Sequence, residues 1–185
     1  VYATVKTGAS MYIIPQQCFK VPKYLLEYIS HNNINTLFWV PSALVFPAAL
    51  GALKKTPPID LRNVFFGGEG MPVKYLNKWM AKYPDARYVN FYGPTEVTDT
   101  CTVYEVNRKL ENTDTLPIGV PCKNMDVFLL DEQDRPAVGE GAIGEICVRG
   151  TGLACGYYNA PEKTAEVFVQ NPLNHAYPEI IYRTG

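Results

Sequence analysis

"VFFGGEGMPVKYLNKWMAKYPDARYVNFYGPTE", residues 64–96, holds one complete cycle of strand, glycine loop, helix and strand. Val64–Phe66 is a short apolar run that stops at Gly67-Gly68-Glu69-Gly70. From Pro72, the residues Val73, Leu76, Met80 and Tyr83 recur at three- and four-residue steps, the period of a helix with one buried stripe. Ala86–Asn90 is the next strand, and the residues after it form its exit loop. Upstream the same alternation repeats. Met11–Ile14 reads as a strand, Pro22 opens a helix that carries Tyr24, Leu25, Tyr28 and Ile29, and Thr36–Val40 reads as a buried strand. Pro41-Ser42 then makes a turn, with Ser42 placed to cap a short helix that Pro47 interrupts. Short strands alternating with helical patterns predict an α/β fold, a Rossmann-like sheet covered by helices.

From about Leu116 the texture changes. Val127–Leu130 and Glu145–Arg149 are strands joined by a charged turn rich in glycine and proline, which predicts the start of an antiparallel, barrel-like subdomain. Within the second strand Glu145, Cys147 and Arg149 alternate against Ile146 and Val148. Asn159–Phe168 reads as a short helix with a side-chain cap at Asn159 and Pro161 in its first turn. The expected division is therefore 1–114 for the α/β part and 115–185 for the β-rich part.

Composition narrows the partners. The 185 residues include 17 basic and 18 acidic side chains, a net charge of -1 with no basic block, so nothing electrostatic recommends nucleic acid or an acidic membrane. Residues 34–53 are uncharged and long enough to raise a membrane span, but Pro41 and Pro47 argue against one. Five cysteines without C-x-x-C spacing read as free thiols in a reducing cytoplasm. His31 and His175 read as surface or helix-end residues. Val1 begins mid-pattern without an initiator methionine, so a segment of a longer chain is expected. A small-molecule site is the better default.

In a sheet of this class ligands gather outside the carboxyl ends of the strands, where both glycine loops should open. Gly67 and Gly68 would let a flat ring approach the backbone, and Tyr92 could cover its other face. Asn90 offers a donor and an acceptor to the edge of a base, and Thr95 a hydroxyl to a phosphate oxygen. Glu96 beside that phosphate requires a divalent cation between them. Each element also has a plainer reading. Gly-Gly-Glu-Gly and Tyr-Gly-Pro are ordinary turn signals, and Thr95-Glu96 is also a helix cap followed by a first-turn acid.

Four segments occur together in order: "FFGGEGMP" (65–72), "NFYGPTE" (90–96), "GEICVRGTGLACGYY" (144–158) and "YRTG" (182–185). In these the chain resembles the adenylate-forming (AMP-binding) ligase superfamily. It is most similar to the amino-acid adenylation domains of nonribosomal peptide synthetases and to D-alanine–carrier protein ligase. "NAPEKTAEVFVQNP" (159–172) fits the amino-acid branch better than the fatty-acid branch. The resemblance implies that Asn90 and Tyr92 hold the adenine of ATP or AMP, lined by Gly67, Gly68 and Glu69, with Gly93 in the same nucleotide loop. It implies that Thr95 contacts the α-phosphate and that Glu96 ligates Mg2+, these two being the catalytic pair. A specificity pocket would draw on Trp39, Phe65, Gly67, Phe91, Asp99 and Thr100, although the aromatics are equally readable as core and Asp99 as an exposed helix residue. The family often has arginine where this chain has Cys155, so that arginine's role does not carry over.

The implied reaction activates an amino-acid carboxylate as an aminoacyl-adenylate and transfers it to the phosphopantetheine thiol of a carrier protein. The resemblance also implies parts outside residues 1–185: a phosphate loop and a substrate-amine aspartate upstream, a ribose-binding aspartate and a catalytic lysine downstream. The fragment alone is then expected to be inactive. Two other readings stay open, an acyl-CoA synthetase-type ligase for a non-amino acid and a non-catalytic nucleotide-binding module.

Overall fold

A computed structural model describes residues 2–185. The chain divides into two compact units, one comprising residues through Val89 with Val106–Leu116, the other Asn90–Glu105 with Pro117–Gly185.

In the first unit α1 (Tyr2–Lys6) and a 3-10 turn at Gln16–Lys20 precede α2 (Pro22–His31), β1 (Thr36–Trp39) and α3 (Pro41–Ala49). A second 3-10 turn at Ala52–Lys55, β2 (Asn63–Gly67) and α4 (Val73–Lys82) follow, and β3 (Arg87–Tyr92) begins here. β1 and β2 run parallel, with Leu37 opposite Val64 and Trp39 opposite Phe66. The Arg87 amide donates to the Arg62 carbonyl at 2.8 Å. Period and burial agree on α4, whose buried residues are Val73, Leu76 and Trp79, with Tyr83 buried just beyond it. Trp79 rather than Met80 completes the stripe. Its fully buried indole donates Nε1–H to the Leu44 carbonyl at 2.9 Å, which locks α4 to α3. Lys78 donates to the Ala48 carbonyl in the last turn of α3, where a cation complements the helix dipole.

Four local expectations are corrected. Residues 11–14 form no strand; Met11, Tyr12 and Ile13 are exposed, and without a neighbouring strand an apolar run has no ladder to join. Pro47 lies inside α3 without ending it. Ser42 is not the cap of α3. Val40 holds the cap position, and the Glu69 carboxylate accepts the Ser42 amide at 3.1 Å and its hydroxyl at 3.3 Å, so the cap arrives from a distant loop. Asn159 likewise makes no side-chain cap. Its φ of 53° places it in the turn before Ala160, the cap of α5 (Pro161–Val167).

The second unit contains the end of β3, a 3-10 turn at Thr95–Val97, β4 (Thr102–Glu105) and β5 (Val120–Pro121). It continues with β6 (Met125–Leu130), β7 (Glu145–Gly150), α5, β8 (Phe168–Gln170) and β9 (Ile180–Arg183). The first sheet has the strand order β1-β2-β3-β4-β5, and the second the order β6-β7-β9-β8. The second sheet is antiparallel and open rather than a closed barrel. Central strand β7 is buried on both faces. Val148 packs with Val97, Cys101, Phe168 and Tyr182, while Cys147 packs with Leu130 and Ile181. Burial pushes the Cys147 thiol up to about 11.

The ends of β7 are tied by charge. Arg149 pairs with Asp126 and with Glu179 at 2.7 Å each, and Arg183 pairs with Glu145 at 2.6 Å. The Asn171 amide, 2.5 Å from Glu179, and then Arg149 hold the Glu179 carboxyl below the usual carboxylate range. Among the described residues no helix is long and apolar enough to cross a membrane.

Two expectations about stability follow. Trp79→Ala should destabilise the protein by about 3–5 kcal/mol in urea unfolding, and Trp79→Phe by less, since it loses chiefly the bond to Leu44. A carboxyl whose folded pKa is depressed stabilises fully above its unfolded value of about 4.3, and that stability is lost as pH falls through the lower folded value. The melting temperature of Glu179→Gln should therefore lie below that of the parent at neutral pH, and the gap should close on acidification below about pH 4.

Candidate functional site

The alternation of β3 places Asn90 and Tyr92 on one face and Phe91 on the other. Asn90 is buried, and its amide donates to the Pro117 carbonyl at 3.0 Å, which leaves the second amide hydrogen and the oxygen for other partners. Tyr92 is half-buried against the cluster of Val97, Cys101 and Val148, and burial raises its phenol above the ordinary value.

Beyond Tyr92 the backbone closes on itself. The Cys101 amide donates to the Tyr92 carbonyl at 2.9 Å, so residues 93–100 form a loop with its ends joined. Gly93 sits in the neck. A Cβ there would lie 2.6 Å from the Asp99 carbonyl oxygen and 2.7 Å from the Cys101 nitrogen, so no larger residue fits without moving backbone. Thr98 and Asp99 are both left-handed, with φ of 58° and 77°. This reversal places Val97 inside, 1% exposed, while Thr95 is exposed and Glu96 half-buried. Pro94 holds the cap position of the 3-10 turn, so Thr95 does not cap it and stands exposed on a short turn. Asp99 is exposed and Thr100 half-buried.

Glu96 is held through both its side chain and its backbone. The Tyr157 hydroxyl donates to its Oε1 at 2.5 Å, within the range of a hydrogen bond to an ionised oxygen. That bond holds the Glu96 carboxyl below the usual carboxylate range and raises the Tyr157 phenol. Tyr182 and Lys163 reinforce the lowering. The backbone joins in, as the Ala154 amide donates to the Glu96 carbonyl at 2.8 Å and the Thr98 hydroxyl to the Gly152 carbonyl at 2.6 Å. The segment "GTGLACGYY" (150–158) thus embraces the Glu96 loop. Tyr157 was not among the expected site residues, because no local pattern announces a partner so distant in sequence.

In the first unit Gly67 ends β2 and Gly68 follows with φ of 86°. A Cβ on Gly68 would come no closer to a neighbour than 4.0 Å, to Val40, so the conformation rather than crowding calls for glycine. Glu69 is engaged with Ser42 through its side chain. Trp39 and Phe65 are half-buried, and Trp39 meets Phe19 edge to face at 5.6 Å.

A family described as AMP-binding enzyme matches residues 1–158. Tyrocidine synthase 3 of Brevibacillus parabrevis is 36% identical over 181 residues, covering 96% of this chain and 3% of that protein. Among solved structures, CmiS6 matches with a TM-score of 0.84 at 27% identity, over 98% of this chain and 44% of its own. PA1221, described as an NRPS protein containing adenylation and PCP domains, matches with a TM-score of 0.77 at 28% identity, over 89% of this chain and 32% of its own. The chain thus spans 3% of the synthase and less than half of either solved chain.

The neck of the loop provides a direct check. Gly93→Ala should destabilise the protein by about 1–3 kcal/mol in denaturant unfolding, because the added methyl must displace backbone rather than a side chain.

Proposed function

The chain belongs to the AMP-binding enzyme family, and from that premise we propose that it is part of an ATP-dependent, AMP-forming ligase that activates an amino acid. The observation that carries the reading is an exposed Thr95 next to a half-buried Glu96 whose carboxylate accepts the Tyr157 hydroxyl. The relatives support the amino-acid branch, since they include a tyrocidine synthase and a protein containing adenylation and PCP domains. On this reading a carboxylate oxygen of the substrate attacks the α-phosphorus of ATP. The bond to the bridging oxygen breaks, pyrophosphate leaves, and the acyl-adenylate forms. A carrier-protein phosphopantetheine thiol then attacks the acyl carbon, AMP departs, and the thiol proton passes to solvent.

The proposed roles follow the residues. Gly67, Gly68, Glu69, Asn90, Tyr92, Gly93 and Thr95 bind the nucleotide, and Thr95 donates to the α-phosphate. Trp39, Phe65, Gly67, Phe91, Asp99 and Thr100 line the substrate pocket. All of these residues lie within 1–114, those from Asn90 onward in the second compact unit, and 115–185 supports the Glu96 loop. Free cysteines fit a cytoplasmic protein.

Glu96 suits Mg2+ of one kind. Among the described residues no group of three or more His, Cys, Asp or Glu side chains is arranged to hold a metal. Magnesium is commonly bound by one or two carboxylates together with substrate phosphates and water, which fits a cation that arrives on ATP. When bound, it would neutralise charge on the phosphate oxygens. The protein aligns the reacting groups and supplies Thr95 and Glu96, with little covalent chemistry of its own.

The test is carboxylate-dependent ATP–pyrophosphate exchange by the full-length protein with Mg2+ present. Stimulation by one or a few amino acids is expected, with a loss of about 10²-fold in Glu96→Gln. Stimulation only by non-amino carboxylates would transfer the reading to a CoA-type ligase, and silence across amino and non-amino acids from a folded protein would overturn the ligase.

A further inference from the structure

We propose that Tyr157 is a positioning residue for Glu96, its hydroxyl fixing one carboxylate oxygen so that the other is presented to a nucleotide-bound cation. The inference rests on the role given to Glu96 above. A carboxylate on a short 3-10 turn has two freely rotating bonds beyond Cβ and would otherwise sample several orientations. A hydrogen bond to Oε1 selects one of them and leaves lone pairs on Oε2 for a ligand.

Tyr157 is itself built into place. Its amide donates to the Thr164 hydroxyl at 2.9 Å, and that hydroxyl donates to the Ala160 carbonyl at 2.9 Å. Preceding Gly156, at φ of 124°, a Cβ would lie 2.4 Å from the Thr164 methyl, so the chain can reach this position only through glycine. The ring meets Phe168 edge to face at 5.8 Å, and the Lys163 ammonium stands 4.8 Å from its centroid. Phe168 packs in turn on Tyr182 at 5.2 Å. Backbone, ring face and ring edge are all constrained, which leaves the hydroxyl aimed at Glu96.

A purely structural tie would not need this hydroxyl. The Ala154 amide on the Glu96 carbonyl and the Thr98 hydroxyl on the Gly152 carbonyl already join the two segments through atoms other than the Glu96 carboxylate. The Tyr157 bond acts on the carboxylate itself, and of the groups that do so it has the largest effect, ahead of Tyr182 and Lys163.

The experiment uses the full-length protein as wild type, Tyr157→Phe, Glu96→Gln and the double variant. Mn2+ binding is titrated by electron paramagnetic resonance with ATP and no substrate acid. The Mg2+ concentration for half-maximal pyrophosphate exchange and the melting temperature are measured alongside. Tyr157→Phe should weaken Mn2+ binding and raise the half-saturating Mg2+ by about tenfold, the scale of losing a hydrogen bond to a charged group. Its melting temperature should fall only modestly, the cost of removing one donor from a half-buried carboxylate, and the double variant should bind Mn2+ no more weakly than Glu96→Gln alone. Wild-type metal binding in Tyr157→Phe, with binding lost in Glu96→Gln, would overturn the role of Tyr157 alone. So would losses that simply multiply in the double variant. Wild-type binding in Glu96→Gln would overturn the metal role of Glu96 and this inference with it.

Discussion

The bond from the Cys101 amide to the Tyr92 carbonyl, 2.9 Å long, turns the end of β3 into a closed loop, and the geometry of the candidate site descends from it. Once the ends are joined, the neck admits only Gly93. The chain must also reverse direction within a few residues. It does so through Thr98 and Asp99, both in a left-handed conformation that costs an ordinary residue roughly 1–2 kcal/mol. Burial of Val97 and the bond from the Thr98 hydroxyl to the Gly152 carbonyl offset that strain. The result is a short turn whose apolar residue is anchored and whose hydroxyl and acid are presented, an arrangement typical of strained segments at functional sites.

Anchoring a loop of this kind needs something stiff behind it. β7 provides it by being buried on both faces, so the layer containing Val97, Cys101 and Val148 is backed by a second layer of Leu130, Cys147 and Ile181. Phe168 and Tyr182 close the first layer from β8 and β9, and the aromatic contacts extend from them to Tyr157. The ion pairs of Arg149 and Arg183 bridge β6, β7 and their neighbours at half-exposed positions, where pairing adds register more than stability. Packing and the backbone ladders thus set the stiffness and the strand order, and the ion pairs add to them at the strand ends.

How much of this could be read from residues alone depended on the range of the interaction. β2, α4 and β3 were legible because strand and helix periods are local and each element contains its own evidence. The nucleotide loop was legible as a composition of glycine, proline, hydroxyl and acid. Caps were misread wherever the partner was remote. Ser42 looks like a cap, yet its amide is satisfied by Glu69, a residue that local sequence has no means of linking to it. Residues 11–14 look like a strand because apolar composition says nothing about whether a neighbouring strand is present. Tyr157 is the same case at the site itself. Its importance comes from meeting Glu96 in space, and the glycines around it signal a tight path without saying what the path leads to.

Among the described residues no three acids, cysteines or histidines gather as metal ligands, which constrains any metal chemistry at Glu96. One acid on a turn is a weak site for Mg2+, which surrenders its water reluctantly, so on the proposed reading the cation's affinity must come largely from phosphate oxygens. The cation then enters and leaves with the nucleotide, and between turnovers the half-buried Glu96 must be stable without it. An ionised carboxyl in that position needs a donor, and the Tyr157 hydroxyl is one. The same bond therefore answers two demands. It satisfies the charge when the cation is away, and it holds the carboxylate in a fixed orientation when the cation returns. A lysine in place of Tyr157 would satisfy the charge too, but would add a second positive charge to that of Lys163 and compete with the incoming cation, whereas a phenol adds none.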